Sequence, residues 1–403
     1  MHSKCYRETG ISKTIKILLT ILLIYEEWYL EKYSAIPYVL QIIAILIVGL
    51  TFLNTYGSLS YYISNKSFLS WLFFGVFAAL NALFFSAEPS YALSSLGTYF
   101  SFLAISFCAG VLSQKTCDLE WLRRAMIIVS CMCAFSAIFY GQPYKNGFYY
   151  VTTMSQNNNP NNLGLMMSIG IFFMLMPRKK QSAFAWIVRT LLSASFVYVV
   201  VNTGSRSSLL CCVTVVAFSL YSHLKNTSGN AVNRFIKRAA LILACMSAFL
   251  VIVNTVASFS GSGTALNRLI ERFNSDSFGG RTELYDAAWE IFMQHPIVGI
   301  GYNCFRVVGG YGYFTHSTYM ELLACTGIVG FILFMGPVLS GLKYAMYSMP
   351  ENQGSKIILL AMLLLSGFFG IVFYNIVFMM VLYLIIFCKF EIEFEDDQME
   401  ENI

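Results

Sequence analysis

The chain has 403 residues, of which 57% are hydrophobic, 16% aromatic and only 12% charged, where soluble domains carry about a quarter charged residues. That balance excludes an ordinary soluble enzyme and predicts an all-α polytopic membrane protein. A net charge of +5 does not call for a nucleic-acid partner, because the basic residues are dispersed and no cluster is interleaved with aromatics.

At roughly 20 residues per span, apolar runs near 16–31, 37–54, 68–86, 94–112, 124–141, 162–177, 184–202, 208–223, 239–259, 317–340, 357–372 and 374–388 predict about twelve transmembrane helices. The first is the weakest, since Glu26, Glu27 and Glu31 follow its apolar part. These runs divide the chain into an N-terminal bundle of about nine spans (1–259), a large polar loop (260–316), C-terminal helices (317–390) and an acidic tail (391–403). Cytoplasmic loops carry the excess of Lys and Arg. With both termini cytoplasmic, only Lys32, Lys145, Arg206, Arg268, Arg272, Arg281 and Arg306 of the 26 basic residues fall outside, so the large loop faces outward. The 11 cysteines lie mostly in apolar runs and read as small hydrophobes. No repeat unit or matched pair of broken helices is visible, which weighs against a two-fold transporter.

Within the large loop, Ala265 to Phe273 reads as a short helix, and Gly279-Gly280 breaks the chain. From Arg281, the residues Leu284, Tyr285, Ala288, Trp289 and Phe292 recur at helical spacing. That pattern predicts an amphipathic helix of about four turns, stopped by His295-Pro296, lying on the membrane with Trp289 at headgroup level.

Few residues in this chain are equipped for chemistry. Arg206 sits in Asn202-Thr-Gly-Ser-Arg-Ser-Ser208, a polar turn between two apolar runs, where hydroxyls and amides suggest an anion-binding concavity. Arg281 opens a helix, whose free N–H groups and positive dipole end favour a phosphate. Two such arginines suit one diphosphate, with Arg268, Arg272 and Arg306 in reserve. His316, in Tyr313-Phe-Thr-His-Ser-Thr-Tyr319, carries the side chain best matched to proton abstraction near neutral pH. A helix-capping role for His316 and a lipid-phosphate role for Arg206 remain open on these grounds. Gly299-Ile-Gly301 lacks the third glycine of a dinucleotide fingerprint, and no P-loop is present. With no paired aspartate motif, neither a metal nor another cofactor is expected.

Thr203-Gly-Ser-Arg206, Gly280-Arg-Thr, Ala288-Trp289, His295-Pro-Ile-Val-Gly299-Ile-Gly301, His316-Ser-Thr-Tyr319 and Gly327-Ile-Val-Gly330 together resemble the O-antigen ligase and polymerase superfamily. That group includes Wzy-type polysaccharide polymerases and bacterial O-oligosaccharyltransferases. The resemblance covers roughly residues 155–335. It implies a GT-C-like membrane glycosyltransferase, inverting and metal-independent, that uses a glycan on undecaprenyl pyrophosphate as donor and a second glycan as acceptor. It also implies catalytic roles for Arg206, Arg281 and His316, with His316 as base and the arginines on the diphosphate. Arg306, Tyr285, Trp289 and Tyr319 join them as substrate-binding candidates. The family's histidine is often followed by asparagine, whereas Ser317 follows here. Polymerase is the first expectation, because no added soluble domain is present. Ligation to lipid A core and protein O-glycosylation follow, and a flippase and a chain-length regulator would be its protein partners. A transporter of an anionic substrate would need arginines along a through-path, yet all those singled out fall on one side.

Overall fold

A computed structural model describes residues 9–28, 36–55, 66–116, 120–140, 142–143, 149–150, 160–176, 183–225, 281–346 and 350–387. The expected span at 239–259, the short helix at 265–273, Arg268, Arg272, Glu31, the turn at 157–159 and the acidic tail lie outside the described residues, as do the side chains of Glu26 and Glu27.

The described residues are helical apart from a two-residue antiparallel pair, β1 (Gln142–Pro143) with β2 (Tyr149–Tyr150). The helices are α1 (Gly10–Trp28), α2 (Ile36–Asn54), α3 (Lys66–Phe84), α4 (Pro89–Thr116), α5 (Glu120–Tyr140), α6 (Pro160–Leu175), α7 (Ala183–Asn202) and α8 (Arg206–Lys225). After them come α9 (Arg281–Gln294), α10 (Phe305–Val308), α11 (Thr318–Met346), α12 (Pro350–Gly367) and α13 (Ile376–Phe387), with a 3₁₀ turn at Val372–Tyr374. Every predicted apolar run except 239–259 coincides with one of these helices. Three, at Pro89–Ser113, Glu120–Phe139 and Thr318–Lys343, are long and apolar enough to cross a bilayer, and seven more apolar helices are shorter. Large apolar side chains such as Ile45, Leu53, Phe84 and Phe184 are left exposed on helix surfaces, a pattern suited to lipid rather than water. The architecture is that of a helical, multi-pass membrane protein.

The chain forms two compact units. In one, α6 packs against α5, α7 and α8, and every residue from Leu163 to Met174 is buried. A Cβ at Gly164 would strike Ser208, and one at Gly170 would strike Ser130. Small residues facing small residues are how helices approach closely where lipid supplies no hydrophobic drive.

The other unit contains α1 as far as Leu23, α2 to α4, and α9 to α13. Its centre is aromatic: Trp71 stacks on Phe334 with ring centroids 5.5 Å apart, donates from Nε1 to the Phe334 carbonyl at 2.9 Å, and accepts at its own carbonyl from the Tyr99 hydroxyl at 2.8 Å. Buried aromatics with a polar atom keep it bonded in this way.

Helix α11 is broken at Gly327, where φ is 62° and ψ −169°. That region is accessible essentially to glycine alone. In an unbroken helix the N–H groups of Ile328 and Val329 would bond the carbonyls of Ala324 and Cys325. Here Ile328 N–H donates to Pro296 O at 2.9 Å and Val329 N–H to Ile297 O at 3.3 Å, while Ala324 O accepts from Ile300 N–H at 3.1 Å and Cys325 O from Gly301 N–H at 2.9 Å. Two intrahelical bonds are thus exchanged for four to the Pro296–Gly301 segment. The segment's other carbonyls are met as well, Val298 O by Asn81 Nδ2 at 2.7 Å and Ile300 O by Ala87 N–H at 3.2 Å. Irregular backbone inside a membrane protein survives only when so paired. The crossing also needs glycine on both strands, since a Cβ at Gly299 would meet the Cys325–Thr326 backbone and one at Gly327 the Ile297 carbonyl.

Replacing Gly327 by Ala is expected to destabilise the purified protein by roughly 1–3 kcal/mol or more, read as a lower thermal midpoint in detergent. Gly336→Ala, whose Cβ meets nothing within 4 Å, is the control and leaves the midpoint unchanged or raised.

Candidate active site

Arg206 opens α8, directly after a turn in which Gly204 takes φ 62°. The hydroxyls beside it are engaged within the protein. Ser205 Oγ donates to Asn161 Oδ1, Ser208 Oγ bonds the Asn161 carbonyl at 3.2 Å and Ser205 Oγ at 2.9 Å, and Ser207 Oγ lies 3.0 Å from Ser205 Oγ. They fasten the start of α8 to the start of α6 instead of lining an open anion cradle, so the polar character of this turn is largely architectural.

Arg281 opens α9 as the sequence pattern predicted. Leu284 and Ala288 are buried, in a cluster with Phe305, Ala324 and Cys325 that Tyr285 and Ile291 flank. The buried stripe of α9 therefore faces α11 rather than lipid, and of the predicted apolar side it is Trp289, 49% exposed and 5.3 Å from the Phe292 ring, that remains on the surface. The Arg281 guanidinium lies 5.8 Å from the centre of the Phe369 ring and bonds the Tyr285 hydroxyl. Tyr285 in turn donates to the Phe368 carbonyl at 2.8 Å. Burial raises the Tyr285 phenol pKa, and the Arg281 charge opposes that rise.

His316 stands in the tight connection into α11 with φ 59°, a left-handed conformation uncommon outside glycine. Its neighbours hold it there. Thr315 Oγ1 donates to Ser317 O at 2.9 Å and accepts from Ser317 N–H at 3.2 Å. Thr315 N–H donates to Glu321 Oε2 at 2.9 Å, and Glu321 N–H returns to Ser317 O at 2.9 Å. Glu321 is 0% exposed; its Oε1 accepts from the Tyr374 hydroxyl at 3.3 Å and lies 3.5 Å from Cys325 Sγ. The His316 ring packs 4.9 Å from Phe314 and 6.0 Å from Tyr313, and its Nδ1 is buried with no hydrogen bond to any described group. Burial, and secondly the charge of Arg281, push its pKa from 6.5 down to about 4. The imidazole is therefore neutral at pH 7.

Arg281, Tyr285 and His316 thus form one electrostatically coupled group. Arg306 joins it through Phe314, whose ring centre is 5.6 Å from the guanidinium. Tyr319 sits at its edge with its hydroxyl on Leu364 O at 2.7 Å and its ring 4.6 Å from Phe368. Arg206 belongs to the other compact unit.

Residues 190–335 match the family model described as O-antigen ligase. The exopolysaccharide production protein ExoQ of Rhizobium meliloti (strain 1021) is 26% identical over 297 residues, which is 67% of this chain, and the chain spans 64% of that relative's length. The matched segment is thus similar to the O-antigen ligase family, and the chain to a protein of exopolysaccharide production. The matched segment runs from within α7 to within α11, so it takes in Arg206, Arg281, Arg306, His316 and the crossing at Gly327.

Sequence reasoning passed over Glu321, Phe314 and Phe369. Glu321 had a signal, an ionisable residue just inside an apolar run. The two phenylalanines had none, being indistinguishable from packing residues around them.

The sign of the His316 effect is testable. Between pH 6.5 and about 4 the unfolded chain binds a proton that the folded chain does not, so stability falls as pH drops through that window. His316→Gln is expected to flatten that part of the midpoint-against-pH curve. Arg281→Gln removes a positive neighbour and is expected to raise the His316 pKa, which moves the transition toward pH 6.5.

Proposed function

We propose that the chain polymerises oligosaccharide repeat units carried on undecaprenyl pyrophosphate into a surface polysaccharide, be it O-antigen, capsule or exopolysaccharide, at the outer face of the cytoplasmic membrane. The observation that carries this reading is a neutral, half-buried imidazole whose basicity is depressed by burial and secondly by the Arg281 guanidinium beside it. The superfamily supports it, as does likeness to a protein of exopolysaccharide production. In this reading both termini are cytoplasmic and about twelve spans form a GT-C-type transferase, inverting and metal-independent. The loop at 260–316 is its catalytic element, between an N-terminal bundle and the C-terminal helices. Flippase and chain-length regulator are its partners.

The reaction joins an acceptor hydroxyl oxygen to the anomeric carbon of the donor as the bond from that carbon to the diphosphate oxygen breaks on the opposite face. The hydroxyl proton goes to His316, and the leaving diphosphate takes the electron pair. Arg281, oriented by Tyr285, offsets the charge growing there, an electrostatic contribution usually among the largest in catalysis. A diphosphate beside Arg281 also offsets the positive field that adds to the effect of burial on His316, so that part of the depression is relieved when the donor is present. Arg206 enters through the family resemblance as a second diphosphate ligand, and the exposed Trp289 and the aromatic Tyr319 as contacts for sugar or lipid carrier.

A deletion strain complemented with wild type, Arg206→Ala, Arg281→Ala or His316→Ala tests this. Each variant is expected to lower polymer by about 10²–10⁴-fold and to accumulate single lipid-linked repeats. The family model's description favours one second reading, transfer of finished polymer to an acceptor such as lipid A core; unattached full-length lipid-linked polymer is its signature. Unchanged glycan in both the Arg281 and His316 variants would sink the enzyme reading.

A further inference from the structure

A second cation is separated from His316 by one aromatic ring. Arg306 lies in the short α10, and its guanidinium lies over Phe314, the ring that packs 4.9 Å from His316. Arg306 Nη1 donates to the Tyr91 hydroxyl at 3.2 Å. Asn303 Nδ2 reaches the same hydroxyl at 3.3 Å and Ser95 Oγ at 3.0 Å. Tyr91 and Ser95 belong to the first two turns of α4, so four polar side chains from two distant segments converge beside the histidine.

Two features of this cluster are not accounted for by packing. The ion pairs among the described residues are those of Arg123 and Arg124 with Glu120, so no described carboxylate partners Arg306. A half-buried guanidinium whose counter-ion no described residue supplies is suited to an anionic ligand, since its planar fork matches a carboxylate. In addition, Asn303 Oδ1 is buried with no hydrogen bond among the described groups, and Asn303 itself holds φ 62°. An unpaired acceptor in the same cluster as a guanidinium with donors left beyond its bond to Tyr91 can read two adjacent groups on one ring, and the exposed Tyr313, 6.0 Å from His316, adds an aromatic face of the kind on which sugars stack.

We propose that Arg306, Asn303, Tyr91 and Ser95 form a subsite for a carboxylate-bearing sugar of the acceptor glycan. Arg306 grips the carboxylate and Asn303 Oδ1 accepts from a neighbouring ring hydroxyl, which holds the attacking residue against His316. This rests on the transferase reading above, in which the acceptor hydroxyl meets that histidine. It adds a substrate class, an acidic glycan, and a selection that uncharged acceptors fail.

The test is thermal unfolding of the purified full chain in detergent, with sodium glucuronate against glucose at matched ionic strength. Glucuronate is expected to raise the midpoint and glucose to leave it nearly unmoved. Arg306→Gln should raise the half-maximal glucuronate concentration about tenfold, with Arg306→Lys and Tyr91→Phe between it and wild type. Should Arg306→Gln fail to fold, those two variants carry the comparison. Equal shifts with both sugars, or glucuronate binding unchanged in these variants, overturns the subsite. So does protection through Arg306 by inorganic pyrophosphate but not glucuronate, since the anion held there is then a diphosphate. Polymer lost in His316→Ala with no glucuronate effect overturns the subsite and spares the transferase. Arg306-dependent glucuronate binding, with glycan unchanged in the Arg281 and His316 variants, keeps a sugar-acid site and removes its catalytic context.

Discussion

Backbone hydrogen bonds in an apolar medium cannot be left unmade, and the exchange between Pro296–Gly301 and the broken helix α11 is where this protein meets that constraint. A helix that breaks inside a membrane must hand its freed N–H and C=O groups to another partner. Here the partner is the chain that has just left α9. That trade fixes both ends of the site: it stops α9 in a set place, which locates Arg281, and it anchors the first turns of α11, which locate His316 and Glu321. The aromatic centre built on Trp71, Phe334 and Tyr99 then supports the crossing from behind.

The electrostatics follow from that scaffold. His316 is kept unprotonated by burial and by a neighbouring arginine, while the carboxylate one turn into α11 is directed at the backbone of Thr315 rather than at the imidazole. Glu321 therefore shapes the loop, and the histidine's charge is set first by burial and second by Arg281. Its left-handed backbone is sustained by three bonded neighbours, an arrangement that holds geometry in place before any substrate arrives.

Much of this was legible in the residues and some was not. The period from Leu284 to Phe292 and the His295-Pro296 stop gave the body and end of α9, because periodicity and proline stops are local signals, whereas the expected break at Gly279-Gly280 lies outside the described residues. The glycines of His295–Gly301 and Gly327–Gly330 marked the family, but what they do, let two backbones cross, depends on residues about 30 apart coming together. Hydropathy likewise could not say which side of α9 meets protein and which meets lipid, since Leu284 and Trp289 score alike. The serines around Arg206 looked like anion ligands and proved to be fasteners between α6 and α8, a distinction that depends on where Asn161 lies.

The break at Gly327 bears on how such a span enters a membrane. Before Pro296–Gly301 docks, Ile328 and Val329 have ordinary helical acceptors available in Ala324 and Cys325, so the span can be inserted as an uninterrupted rod with every bond made. The kinked form differs from that rod by a swap of partners rather than by exposing any. A single glycine thus makes both arrangements open to one stretch of sequence.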